Sequence, residues 1–118
     1  MLNLSPTTDK VYIAVGITDL RKSIDGLAAI VQQRFHLDPF SNCLFVFCNR
    51  SRDRIKILHW DSSGFWLYLK RLENGTFQWP SGQEEIKSLS MREFRWLLDG
   101  IPLNQPKAYQ TVNAKVYV

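Results

Sequence analysis

The sequence predicts an α+β fold: an antiparallel β-sheet of meander-connected hairpins with two helices packed on one face, forming a single domain over residues 1–118. Three observations lead there. Between Cys43 and Pro80, short β-branched and aromatic runs are joined by connections too tight for parallel crossovers. Two other stretches, Leu20 to Phe35 and Phe94 to Leu98, carry the apolar spacing of amphipathic helices. A hydrophobic fraction of 45% over 118 residues is enough for one real core.

The run "KVYIAVG", Lys10 to Gly16, reads as a first strand bounded by glycine. Thr18 then suits an N-cap, Asp19 suits the positive end of a helix dipole, and Leu20, Ile24, Leu27, Ala28, Val31 and Phe35 line one face. A helix over 19–34 follows, about 24 Å long. Its start breaks two local rules. Arg21 and Lys22 fall in the first turn, where the dipole disfavours cations, and Gly26 inside the helix costs about 1 kcal/mol relative to alanine. Two offsets are open. In one, Arg21 pairs with Asp25, Lys22 reaches solvent and Gly26 admits another backbone. In the other, the helix amides together with Arg21 and Lys22 receive a phosphate.

"LDPFSN" breaks the pattern, and "CLFVFCN" after it is a continuously apolar strand suited to mid-sheet. Cys43 and Cys48 point to opposite faces of that strand, which argues against a disulfide between them. The turn "NRSRD", the strand "RIKILHW", the turn "DSSG" and the strand "FWLYLKRL" make a hairpin. A tight turn at Glu73 to Gly75 leads to "TFQWP", a further strand that Pro80 ends or confines to an edge. "SGQEEIKSL" is a polar linker with room for a short strand. Ser90 caps a second helix with Glu93 as its capping-box partner, and Gly100 and Pro102 stop it. Residues 1–9 and 103–118 read as loose ends, with "AKVYV" either an edge strand or loose.

No apolar run approaches the roughly 20 residues that cross a bilayer, and "MLNLSPTTDK" has no basic region followed by an apolar core. A cytoplasmic protein with no membrane partner is expected. Fifteen Lys and Arg against eleven Asp and Glu give a net charge of +4, which permits a polyanionic partner without requiring one.

The densest basic feature is "NRSRDRIK", where Arg50, Arg52, Arg54 and Lys56 alternate and Asp53 opposes them. One reading is a phosphate-contacting surface with Trp60, Trp66 or Tyr68 available for stacking. The other is a solvated turn whose charges guard an edge strand. Lys70 and Arg71 fall on opposite faces of the next strand, one of them over the same surface as Lys56. Arg92 and Arg95 share a helix face of the ordinary solvated kind.

Catalysis finds little support. His36 and His59 are isolated, Ser51, Ser62 and Ser63 sit in turns without a recognisable base, and "GITDLRKS" lacks the glycine spacing of a phosphate loop. A metal nuclease would have to join Asp61 or Asp53 to Glu84, Glu85 and Lys87, all in turns or a polar linker. No catalytic residue, no metal and no cofactor is expected, and the protein reads as a non-enzyme.

Taken in order, "GITDLRKSIDGL", "LFVF" and "RDRIKILHWDSSGFWLYLKRLENGTFQWP" resemble the TnpB-type accessory protein, the second open reading frame, of the insertion sequence 66 family of bacterial transposable elements. The resemblance runs from about Val11 to Pro80 and extends loosely to "LLDGI"; Arg54, Lys56, Trp60, Asp61, Gly64, Phe65, Lys70, Arg71, Leu72 and Glu73 carry most of it. Ser23 stands where relatives commonly have glycine, Cys48 where arginine is common, and "DSSG" replaces a more glycine-rich turn. The resemblance implies an accessory protein of transposition and DNA recombination, encoded beside a separate transposase that performs the strand chemistry. Its expected partners are the DNA of the element ends and that transposase. The candidate nucleic-acid-binding residues are Arg50, Arg52, Arg54, Lys56, Lys70 and Arg71, with Arg21 and Lys22. The alternative is a module that docks on the transposase without touching DNA.

Overall fold

The computed structural model describes residues 10–101. Its elements are β1 (Lys10–Ala14), α1 (Ile24–Ala29) running into a π-helical turn (Ile30–Arg34), β2 (Cys43–Cys48), β3 (Arg54–Trp60), β4 (Phe65–Arg71), β5 (Ile86–Leu89) and α2 (Met91–Leu98). The fold is α+β, as expected. The strands form one five-stranded sheet in the order β4-β3-β2-β1-β5. All six residues of β2 are buried, which is what a strand apolar on both faces requires of its position.

β2, β3 and β4 form the expected antiparallel meander, with Val46 opposite Ile57 and Ile57 opposite Tyr68. The other half of the sheet departs from the expectation. β1 lies parallel to β2, with Tyr12 beside Phe45, because the chain crosses over through α1 between them. The sheet is therefore mixed. β5 pairs antiparallel with β1, Tyr12 facing Ser88, so the polar linker does contain a strand.

"TFQWP" is not a strand. The Phe77 amide donates to the Arg52 carbonyl at 2.7 Å, and the Trp79 indole nitrogen donates to the Ala14 carbonyl at 2.9 Å. Phe77 and Trp79 are buried. Their side chains roof one face of the sheet while the chain travels from the β4 edge to the β5 edge. This link takes the place of a further hairpin because burying two large aromatic rings there outweighs extending the ladder.

The helices lie on opposite faces, not on one. Leu27 and Val31 pack with Ala14, Phe45, Phe47 and Leu58 on one side. Phe94 and Leu97 pack with Val11, Ile13, Val46, Ile57, Phe77 and Trp79 on the other. A central strand that is apolar on both faces leaves two surfaces to cover, and one helix goes to each. Cys43 and Cys48 are free and belong to these separate clusters. Burial pushes the Cys48 thiol up to about 12.

The first helix begins five residues later than the apolar spacing predicts. The Asp19 carboxylate accepts from the Arg21 amide at 3.0 Å and grips its guanidinium at 2.7–3.1 Å, while the Thr18 amide donates to the Cys48 carbonyl at 2.7 Å. These bonds hold 18–22 as a loop tied to the end of β2. Leu20 keeps its predicted burial role but supplies it from the loop. Ser23 is the N-cap, and the first helical bond runs from the Leu27 amide to the Ser23 carbonyl at 3.0 Å. The C-terminal half widens: the Phe35 amide reaches back to the Ile30 carbonyl, and His36 with φ of 56° ends the element.

The two broken rules at the helix start are thereby resolved. Arg21 and Lys22 precede the helix, so its dipole does not act on them as first-turn residues. Arg21 pairs with Asp19 and not with Asp25. A Cβ at Gly26 would meet the Lys22 side chain at 3.1 Å, so what the glycine admits is that side chain and not a second backbone. The second helix follows the sequence closely: Glu93 donates its amide to the Ser90 hydroxyl at 3.1 Å, and its carboxylate accepts from the Ser90 amide at 2.9 Å. The expected loose ends at 1–9 and 103–118, "AKVYV" included, and Pro102 as a helix stop lie outside the described residues.

Candidate nucleic-acid interface

Alternation along β3 and β4 assembles the basic surface. Arg54 and Lys56 share with Leu58 the sheet face that α1 packs on, and Leu69 and Arg71 stand opposite them on β4 with Leu67. α1 covers this face over Phe45, Phe47 and Leu58 but stops short of its end. The uncovered end forms the floor of a groove of about 980 Å³. The loop from Ile17 to Arg21, the turn residues Asn49, Arg50 and Ser51, and Glu73 complete its lining.

Five cations line this groove, Arg21, Arg50, Arg54, Lys56 and Arg71, against the carboxylates of Asp19 and Glu73. The surplus is three positive charges. Arg54 and Arg71 are direct cross-strand partners, a like-charge arrangement that is unfavourable unless an anion or solvent screens it. Arg71 is relieved by Glu73 at 2.8 Å, and Arg21 by Asp19 at 2.7 Å. Both pairs are exposed, so solvent screens them and neither adds much to stability. Among the described residues Arg50, Arg52 and Arg54 enter no ion pair. All three are exposed, so their guanidiniums are open to solvent.

Asn49 organises the turn that presents Arg50 to Arg54. Its side-chain oxygen accepts from the amides of Asp53 and Arg54, both at 3.1 Å, and its amide nitrogen donates to the Asp53 carboxylate at 2.8 Å. Arg52 adopts φ of 60° there, and its carbonyl anchors Phe77. Lys56 extends its ammonium to the Lys22 carbonyl at 3.0 Å, bridging the floor to the loop.

Of the eight candidate cations, five share the groove. Arg52 stays on the same turn, outside the lining, and Lys22 lays its side chain along Gly26. Lys70 is on the other face, where its ammonium donates to the Leu98 carbonyl at the end of α2 at 2.9 Å. Arg71, not Lys70, is the member of that pair beside Lys56. The expected aromatic flank is also elsewhere. Trp60 packs edge-on against Phe40 and Phe65, and Trp66 stacks with Tyr68 on the α2 side at 6.1 Å. The alternation that exposes Arg71 to the groove sends Trp66, Tyr68 and Lys70 away from it. Sequence reasoning missed Ile17 and Leu69 as groove residues, 43% and 62% exposed. Leu69 was readable in principle, since it lies two positions before Arg71 on the same strand face.

The carboxylates of a nuclease reading are dispersed. Asp61 accepts from the Ser63 and Gly64 amides and the Trp66 indole, Asp53 is held by Asn49, and Glu85 pairs with Arg34. Among the described residues no three His, Cys, Asp or Glu side chains cluster as metal ligands. His59 is buried beside Asn42, and desolvation lowers its pKa. No helix among the described residues is long and apolar enough to cross a membrane.

Against this geometry the comparisons are decisive for family. The profile of the IS66 Orf2 like protein family matches residues 9–108. The chain belongs to that family. IS66 Orf2 like proteins are accessory proteins of insertion sequences, so the protein is an insertion-sequence accessory protein. Uncharacterized protein y4hO of Sinorhizobium fredii (strain NBRC 101917 / NGR234) is 38% identical over 98 residues, covering 83% of this chain and 85% of that relative. Uncharacterized protein y4jC of the same organism is 32% identical over 98 residues, with 83% and 84% covered. No solved structure matches. The family match takes in every residue that lines the groove.

Proposed function

We propose that the protein assists transposition by holding DNA of the element through its phosphates, without catalysing strand chemistry itself. The observation that carries this reading is the groove lined by Arg21, Arg50, Arg54, Lys56 and Arg71, with Arg50 and Arg54 in no ion pair among the described residues. Guanidiniums presented from a turn and a strand end suit bidentate phosphate contacts. The test is the salt dependence of DNA binding by the purified protein. With about four phosphates neutralised, the log-log slope is near −3.6, and the double reversal Arg50→Glu with Arg54→Glu abolishes binding at about 0.1 M salt. A flat dependence sinks the mechanism.

A second reading is favoured by a different observation. Trp66 is 53% exposed, and its indole is pinned by Asp61, so a rigid aromatic anchor is displayed on the face away from the groove. It suits docking on the element's transposase. A pull-down with that transposase separates the readings: Trp66→Ala loses the complex in this case, whereas the arginine reversals spare it.

A further inference from the structure

Resting on the phosphate-binding reading of the groove, we propose that its occupant is an unpaired DNA strand and not a duplex. The geometry of the cations is the first reason. They line one concavity from three places, Arg21 on the loop, Arg54, Lys56 and Arg71 on the strands and Arg50 on the turn between β2 and β3. A duplex is a stiff convex cylinder and meets such a concavity at its rim. To meet the strand and the loop cations together, phosphates must enter, and a single strand can place them there.

The second reason is apolar and independent of charge. Ile17 and Leu69 open into the same groove between the cations. A duplex keeps its base faces stacked inside and offers these side chains only sugars and groove edges. An unpaired strand has exposed base faces, and burying Leu69 against one removes apolar area from water on both sides. Lys56 is bonded to the Lys22 carbonyl, so floor and loop are already held together before any strand arrives.

The experiment is fluorescence anisotropy of the full chain with a labelled 15-nucleotide oligo-dT and with a 15-base-pair duplex, in the same salt. The single strand binds at least tenfold tighter than the duplex. Arg54→Glu weakens it at least tenfold, and Leu69→Ser weakens it severalfold while leaving the duplex unchanged. Leu69 is exposed, and circular dichroism of the variant confirms that the fold persists. Equal or tighter duplex binding that still falls with Arg54→Glu overturns the single-strand assignment and leaves the DNA reading standing. Absence of binding to either probe overturns both.

Discussion

Asp61 shows how a single side chain sets the β3–β4 hairpin. Its carboxylate accepts from the amides of Ser63 and Gly64, each at 3.1 Å, and from the Trp66 indole, so the turn and the exposed ring are fixed by one group. Those donors favour the charged form and hold the carboxyl down at about 2, with the Trp66 bond the largest cause. The sign follows directly. Because the folded pKa lies below the ordinary carboxylate value of 3.8, the stabilisation is complete above about pH 4 and is lost as the pH falls through about 2. An acid titration of tryptophan emission is expected to show a step near pH 2 that Asp61→Ala removes. A step near pH 4 instead would mean that the carboxylate is not engaged. At Asp19 the same logic operates more strongly, since the Arg21 side chain and amide both bond it, and its carboxyl lies well below the usual range.

At the scale of elements, the two helices differ in how much of them the sequence displays. α2 has a reciprocal cap at Ser90 and Glu93 and an apolar stripe that ends at Leu97 and Leu98, so its bounds are written locally. Ser90→Ala removes the acceptor for the Glu93 amide and is expected to cost about 1 kcal/mol, read as a lower midpoint in urea unfolding with unchanged slope. The first helix has the same periodicity but no such cap: Ser23 makes no side-chain capping bond. Its start is set by a distant partner, the Cys48 carbonyl that takes the Thr18 amide. Local pattern placed Leu20 in the core correctly and put the wrong backbone under it. The strands β2, β3 and β4 were legible because the turns between them are short and their runs are rich in β-branched and aromatic residues. The parallel pairing of β1 was not, since it depends on where a crossover chain lands. "TFQWP" was misread for the same reason, its rings being buried against strands far away in sequence.

For the whole molecule, the decisive fact is that the sheet has two covered faces, and that the one bearing α1 is left open at one end. Charge counting found the cations, but only the assembled sheet sorts them by side. Lys70 and Arg71 are neighbours in sequence and opposites in space: Arg71 lines the groove with Glu73, and Lys70 ties the edge strand to the end of α2 through the Leu98 carbonyl. If the groove holds the phosphates, exchanging one cation for the other is not neutral. Arg71→Glu places a second carboxylate beside Glu73 and opposite Arg54, turning a surplus of three positive charges into one. DNA affinity is expected to fall at least tenfold at about 0.1 M salt, with the salt slope reduced by about one to two. Lys70→Glu makes the same change in net charge on the far face. It is expected to keep DNA binding within about twofold, because that side chain lies on the opposite face of the sheet, against the Leu98 carbonyl, and touches no phosphate held in the groove. Anisotropy titrations of both variants over a salt series decide the matter. Equal losses would show that overall charge, and not the groove, governs binding.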